Sequence, residues 1–207
     1  MRRPAAFLAL CASLVLSTQA LAAELPQRWV SAGGALSEWI TALGGEARLV
    51  GVDTTSQHPA SLKALPSVGY QRQLSAEGIL SLRPDVLVGT EEMGPPPVLA
   101  QIRKAGVRVE LFSSKAELPA VDENLRHLGQ LLGAEQQASA LAADYRQRLD
   151  ALQANVKLAQ AGQQAPGVLL LVGHAGAKPL IAGQGTAGDW LLGQAGGRNL
   201  AEHQGYK

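Results

Sequence analysis

The sequence predicts an α/β protein of two lobes joined by one long helix. Short, continuously apolar segments alternate with helix-like segments between residues 28 and 112, a pattern typical of a parallel sheet buried on both faces. An amphipathic helical pattern follows over about 122–160, and a second apolar segment with a glycine-rich loop comes after it. We therefore assign residues 23–121 to an N-terminal α/β lobe, 122–165 to a helical segment and 166–207 to the start of a C-terminal α/β lobe.

The elements of the first lobe alternate in order. "RWVSAGG" predicts a strand and a glycine turn, "ALSEWITALGG" a helix that ends at two glycines, and "ARLVGVD" the next strand. "LPSVGY" is expected to form a strand that ends at Tyr70, followed by the helix "SAEGILSLR", which Pro84 ends. "DVLVG", a helix over about 98–105 and the strand "VRVELF" complete this lobe.

The long helix is predicted from apolar residues spaced three or four apart. Gly133 is a plausible break in this pattern. The part after it, about 134–160, would be roughly 37 Å long at 1.5 Å per residue. A helix of that length could cross between two lobes.

The last segment offers little for a separate core. "VLLLVGH" predicts a strand, and in "GQGTAG" we expect a glycine-rich turn in which Thr186 caps the following helix. One strand, one loop and one helix cannot bury themselves as an independent domain. We therefore expect the chain to be a C-terminally truncated fragment with an incomplete second lobe.

The first residues have the features of a secretory signal peptide. Two arginines precede the apolar run "AAFLALCASLVL", and "ALA" at 20–22 places the cut before Ala23. Leu10 before Cys11 is not the small residue that lipoprotein cleavage prefers. We predict a signal peptide over 1–22 and a soluble, secreted mature protein without cysteine, and hence without a disulfide or thiolate metal site.

Composition and motifs exclude several classes of function. The net charge of +1 and the absence of long charge runs give no basis for binding nucleic acid. Glu91 and Glu92 are adjacent on an extended segment and point to opposite sides, so they make a poor catalytic pair. The sequence contains neither a nucleophile elbow nor a zinc-protease helix. We predict that the protein is not an enzyme.

Tyr70 and Arg72 form the clearest candidate site. Ligands of open α/β sheets bind at the carboxyl ends of the strands, where Tyr70 is expected to lie. A phenolate is a hard donor for ferric iron and an axial haem ligand type. The nearby cation of Arg72 would favour the anion or bind a propionate. Spacing alone fits equally a half-buried loop tyrosine whose hydroxyl is in water.

The histidines give a weaker signal. His58 and His174 are expected in loops at strand ends and are candidates to face a cleft, although a role outside ligand binding fits them as well. His127 falls on the amphipathic helix and is expected to be a surface or packing residue.

The order of these segments resembles a known family. "GGALSEWITALGGEARLVGVDTTSQHPA", "LPSVGYQRQLSAEGILSLRPDVLVG", the long helix and "PLIAGQGTAGDWLLGQAGGRN" are similar to the periplasmic haem-binding proteins of Gram-negative haem-uptake ABC transporters, particularly the Pseudomonas type. The resemblance runs over about 28–207. The fold features are shared with the wider class that binds vitamin B12, ferric siderophores and haem, and the haem assignment depends on Tyr70 and Arg72.

The resemblance implies roles for several residues. Tyr70 matches the axial haem ligand, Arg72 matches the cation near the haem, and Glu77 matches a surface glutamate that docks on permease arginines. Glu77 is also an ordinary carboxylate at a helix N-terminus, and the two roles are compatible. The rigid long helix would limit closing motion between the lobes.

We therefore expect a monomeric periplasmic receptor that takes haem from the outer-membrane haem receptor system to an inner-membrane ABC permease. The same fold with a ferric siderophore or cobalamin as ligand is the main alternative. A secreted enzyme and a metal-ion receptor that uses His58 and His174 are further alternatives.

Overall fold

The computed structural model describes residues 25–173 and 178–207. The predicted signal peptide, Cys11, the cut before Ala23 and His174 lie outside the described residues. Among the helices of the described part, none combines the length and the hydrophobicity that crossing a membrane requires.

The first part of the chain folds around a four-stranded parallel sheet. Its strands are β1 (Trp29–Ala32), β2 (Leu49–Val52), β3 (Val86–Thr90) and β4 (Arg108–Phe112), in the spatial order β2-β1-β3-β4. The helices between them are α1 (Gly34–Ala42), α2 (Ala76–Ser81) and α3 (Pro96–Lys104). Because the chain leaves β1 toward β2 on one side and later returns to β3 on the other, β1 and β3 flank the topological switch point.

Each face of this sheet has its own core. Successive side chains of a strand point to opposite faces, and β1 follows this rule: Trp29 packs in one core and Val30 in the other, both fully buried. The Trp29 core contains side chains of α1 and of the later helices, whereas the Val30 core contains those of α2 and α3. The continuous apolar character of the strands is explained by this burial on both faces.

Two helices continue the chain, α4 (Leu118–Leu132) and α5 (Glu135–Ala159). Gly133 separates them in a left-handed conformation with φ 66°, which a glycine adopts without steric cost. α4 and the start of α5 contribute Leu128, Leu132 and Ala138 to the Trp29 core. The break at Gly133 and the 25-residue helix after it confirm the helical prediction.

α5 also reaches the last part of the chain. Near its C-terminal end, Gln160 Nε2 donates a hydrogen bond of 2.8 Å to the carbonyl of Gly196. That last part contains β5 (Gly167–Val168), β6 (Leu171–Val172), β7 (Leu180–Ile181), α6 (Ala187–Gln194) and β8 (Arg198–Asn199). The long helix therefore contacts both parts, as a connecting helix must.

Two strand predictions need correction. "LPSVGY" forms a single parallel bridge between Ser67 and Val52 and no strand, because Pro66 lacks an N–H and Gly69 turns the chain with φ 88°. "VLLLVGH" forms two short strands instead of one. β5 pairs in parallel with β8 and β6 pairs antiparallel with β7, so this segment is divided between two sheets.

Candidate functional site

A cleft of about 670 Å³ lies at the carboxyl ends of β1, β3 and β4. On this side it is lined by residues at or just after the ends of those strands, 33–36, 90 and 92, and 113–116. The opposite wall comes from residues 185–187 and 205–206 in the last part of the chain. The cleft thus lies at the switch point where open α/β sheets bind their ligands.

A buried carboxylate fixes the N-terminus of α1 at the cleft. Asp53, 2% exposed, accepts from the backbone N–H of Gly33 at 3.0 Å through Oδ1 and from the hydroxyl of Thr55 at 2.7 Å through Oδ2. The hydroxyl of Ser56 donates to Oδ1 at 2.7 Å and is itself bonded to Ser37. With the backbone N–H of Thr55 as a fourth donor, the buried charge is fully hydrogen-bonded.

Tyr70 lies in the loop between the bridge at Ser67 and α2. Its side chain is 39% exposed and is not among the residues that line the cleft, whereas the next two residues, Gln71 and Arg72, are. The carbonyl of Gly69 accepts a 3.0 Å hydrogen bond from the backbone N–H of Thr54, which follows β2. The tyrosine is therefore held at the carboxyl end of the sheet, as predicted, although no strand leads to it.

The loop with Tyr70 is tied to the loop after β3. The backbone N–H of Leu74 donates to the carbonyl of Gly94 at 2.9 Å, and the N–H of Gly94 donates to the carbonyl of Gln71 at 3.0 Å. These two main-chain bonds place Arg72 beside Glu92, and the two side chains form an ion pair.

Arg72 is the electrostatic centre of this wall. The hydrogen bond that the Arg72 guanidinium donates to Glu92, and then the charge of Glu92, raise the pKa of this guanidinium above its ordinary value. Tyr70 and Tyr206 add smaller contributions of the same sign. Both tyrosines therefore lie within electrostatic range of one guanidinium.

A second loop on this side, after β4, is anchored by Asn124. Its Oδ1 accepts from the backbone N–H of Ser113 at 3.0 Å, and its Nδ2 donates to the carbonyl of Ser113 at 2.9 Å. Asn124 is buried on α4, so the loop that brings Lys115 to the cleft is fixed to a helix. No sequence pattern indicates this role for the asparagine.

The opposite wall is built around the glycine-rich loop. The side chain of Thr186 accepts from the backbone N–H of Asp189 at 3.1 Å, which confirms the predicted cap of α6. Asp189 in turn accepts from the N–H of Gly185 at 3.0 Å. Next to this loop, the N–H of Gly183 donates to the carbonyl of Gly205 at 2.8 Å and so positions Tyr206.

Tyr206 was missed by the sequence reasoning. It lines the cleft and is 48% exposed. The sequence does contain a signal, because the pair Gly205-Tyr206 repeats the pair Gly69-Tyr70. In the structure both glycines have positive φ, 88° for Gly69 and 73° for Gly205. In each case the glycine carbonyl accepts from a backbone N–H that follows a strand.

The remaining candidates lie elsewhere. His58 is exposed and is absent from the residues that line the cleft. Glu77 is exposed in the first turn of α2, where Ser75 caps the helix. His127 stacks on Phe112 with ring centroids 4.9 Å apart and contacts Glu110 at 3.2 Å, so it is a packing residue as expected. Over the described residues, no three His, Cys, Asp or Glu side chains group as metal ligands.

Comparison with known proteins gives consistent relatives. The chain is similar to a periplasmic haem-binding protein from Pseudomonas aeruginosa, with 64% identity, a TM-score of 0.87 and coverage of 88% of this chain and 66% of that one. It is also similar to the periplasmic haem-binding protein HutB of Vibrio cholerae, with 39% identity, a TM-score of 0.77 and coverage of 87% and 69%.

One curated relative is named for a different ligand. The vitamin B12-binding protein of Pectobacterium atrosepticum is 27% identical over 195 residues, which are 94% of this chain and 68% of that protein. The chain thus spans about two thirds of the length of these relatives. The profile of the periplasmic binding protein family matches residues 30–207. On this match and on the shared α/β fold, the chain belongs to the periplasmic binding protein family.

Proposed function

We propose that the protein is a periplasmic receptor that binds ferric haem in the cleft and delivers it to an inner-membrane ABC importer. The observation that carries this proposal is that Arg72 lines the cleft and that Tyr70, two residues before it, lies at the carboxyl edge of the sheet within electrostatic range of its guanidinium. The 64% identity to a haem-binding protein supports haem as the ligand.

Tyr70 would ligate the iron. Its side chain is 39% exposed, so it is accessible to a ligand from solvent. A ferric centre takes the phenolate form of tyrosine as a ligand, and the charge of Arg72 favours that form. Arg72 could equally bind a propionate, since a guanidinium makes strong hydrogen bonds with carboxylates.

The opposite wall would close the haem site. Tyr206 and the residues around Thr186 line it, and α5 sets its distance from the first sheet through the bond between Gln160 and Gly196. A connection made by one continuous helix bends little, so the cleft stays accessible for loading and unloading. Non-covalent binding without turnover agrees with a family of binding proteins.

Delivery would use the outer surface of the first lobe. Glu77 is exposed on α2 and is proposed to pair with a permease arginine. The signal peptide over 1–22 would bring the protein to the periplasm as a monomer, where haem arrives through the outer-membrane haem receptor system.

Cobalamin is the second candidate ligand, and the 27% identical vitamin B12-binding relative favours it. A ferric siderophore fits the same fold. A metal ion bound through His58 and His174 and a secreted enzyme are the weaker alternatives.

Titration of the purified protein with ferric haem, cyanocobalamin and a ferric siderophore separates these ligands. We expect a saturating one-to-one change in absorption with haem alone. Saturation with cobalamin and none with haem would overturn the proposal in favour of the second candidate. Zinc or manganese retained through dialysis, again without a response to haem, would favour the metal-ion receptor.

A further inference from the structure

Glu92 forms an ion pair with Arg72, the cation that the proposed ligand would use. Its carboxylate pairs with Arg72, and both side chains line the cleft about half exposed, 53% for Arg72 and 47% for Glu92. Of the groups that raise the pKa of the Arg72 guanidinium, Glu92 has the largest effect, larger than that of either tyrosine. The guanidinium of Arg72 is therefore directed at a carboxylate.

The pairing follows from the backbone and would re-form after each ligand leaves. The two hydrogen bonds between Gly94 and the loop of Tyr70 hold the two chain segments together. Between them, Met93 is buried in the core and anchors the loop after β3. The backbone therefore keeps the segments that carry Glu92 and Arg72 next to each other.

Haem brings negative charge to this place. Its two propionates and the phenolate of Tyr70 would compete with Glu92 for the guanidinium, and the carboxylate of Glu92 would repel them. Lys115 is the other cation among the residues that line the cleft, and it lies on the separate loop after β4. The local balance of charge near Tyr70 is accordingly set by Arg72 and Glu92.

On the basis of the proposed haem function, we propose that Glu92 is a positioning residue that holds Arg72 away from the ligand's anionic groups and thereby limits the affinity of the cleft for haem. A receptor that must give up its cargo benefits from such a limit. As haem begins to leave, Glu92 recaptures Arg72 and lowers the cost of breaking the contact.

The test compares Glu92→Gln with Glu91→Gln. Glu91 is the adjacent carboxylate, is exposed and does not line the cleft, so it controls for the loss of one charge. Haem affinity is measured by absorption titration, and haem dissociation by transfer to excess apomyoglobin. We expect Glu92→Gln to bind haem about fivefold more tightly, the upper range for a half-exposed pair, with most of the gain in slower dissociation. Glu91→Gln should match the wild type.

The same substitution in an Arg72→Gln background identifies the route of the effect. If Glu92 acts through Arg72, its removal there gains less than about twofold, since only direct repulsion is left. The tyrosinate band of the ferric complex should also shift in Glu92→Gln alone, because the freed guanidinium reaches the phenolate oxygen. Both side chains are exposed, and thermal unfolding confirms that each variant is folded.

Weaker or unchanged binding in Glu92→Gln would overturn the proposal, and so would an equal gain with and without Arg72. Failure of the wild type to bind haem would instead reject the proposed function. The two failures are therefore distinguishable in one set of titrations.

Discussion

Asp53 accepts a hydrogen bond of 3.0 Å from the backbone N–H of Gly33, across the carboxyl ends of β2 and β1. This contact joins the turn after one strand to the start of the helix after its neighbour. Because α1 begins at Gly34 and its first residues line the cleft, a buried carboxylate in one loop determines the shape of the site wall in another.

Replacement of Asp53 by alanine should destabilise the protein. The backbone and hydroxyl donors of Thr55, the hydroxyl of Ser56 and the N–H of Gly33 would lose their acceptor. Unsatisfied buried donors cost about 1–3 kcal/mol each when water cannot reach them, and we expect a loss of about 2–4 kcal/mol in the free energy of unfolding. Urea denaturation measures it. Asp150→Asn, at an exposed position of α5, is the control, and equal stability of both variants would contradict this account.

Two glycines should respond to alanine with opposite signs. A Cβ at Gly34 would lie 2.7 Å from the carbonyl oxygen of Thr55, so the start of α1 must shift and Gly34→Ala should destabilise the protein. Gly193 lies in α6 with nothing within 4 Å of such a Cβ. Gly193→Ala should therefore raise stability by up to about 0.5–1 kcal/mol through helix propensity. Thermal unfolding of the two variants gives both signs, and a stabilising Gly34→Ala would show that the wall tolerates movement.

Asn124→Ala should loosen the loop after β4. The loss of both hydrogen bonds to Ser113 frees the residues that line the cleft on that side, at a cost of about 1–3 kcal/mol. Hydrogen exchange of the amides of residues 113–115 should become faster, while exchange in β1 stays slow. Unchanged exchange at Ser113 would mean that the asparagine does not hold the loop.

Tyr206→Ala should weaken haem binding without removal of the iron ligand. The side chain lines the opposite wall, so its loss removes contact area, and we expect affinity to fall by about five- to tenfold. The absorption spectrum of the bound ferric haem should keep its tyrosinate band. Tyr145→Phe, on α5 and outside the cleft lining, serves as the control. Loss of the band in Tyr206→Ala would indicate that Tyr206, on the opposite wall, is the iron ligand.

The sequence predicted what depends on local patterns. The alternation of apolar and helical segments located the four strands of the first sheet, and Gly133 located the start of the long helix, because burial and glycine conformation act over a few residues. Tyr70 was placed at the correct edge for a partly wrong reason, since the bond between Thr54 and Gly69, not a strand, holds it there.

Contacts between distant segments could not be predicted from the sequence. The pairing of Arg72 with Glu92 depends on two loops that meet at Gly94, and no spacing rule relates residues 20 positions apart in separate loops. Asn124 and Tyr206 were not predicted for the same reason, because each reaches the site through contacts between distant segments. His58 was a fair candidate by position after a strand, yet the turn leaves it exposed away from the cleft lining.

The proposed haem site depends above all on the hydroxyl oxygen of Tyr70 as the ligand of the iron. Tyr70→Phe keeps the ring and removes only that oxygen, so the absorption spectrum of the variant mixed with ferric haem reports on this ligand alone. We expect the tyrosinate band to disappear and the affinity to fall by more than about a hundredfold, since even changes to residues that support a metal ligand cost 10- to 100-fold. An unchanged spectrum and affinity would contradict it.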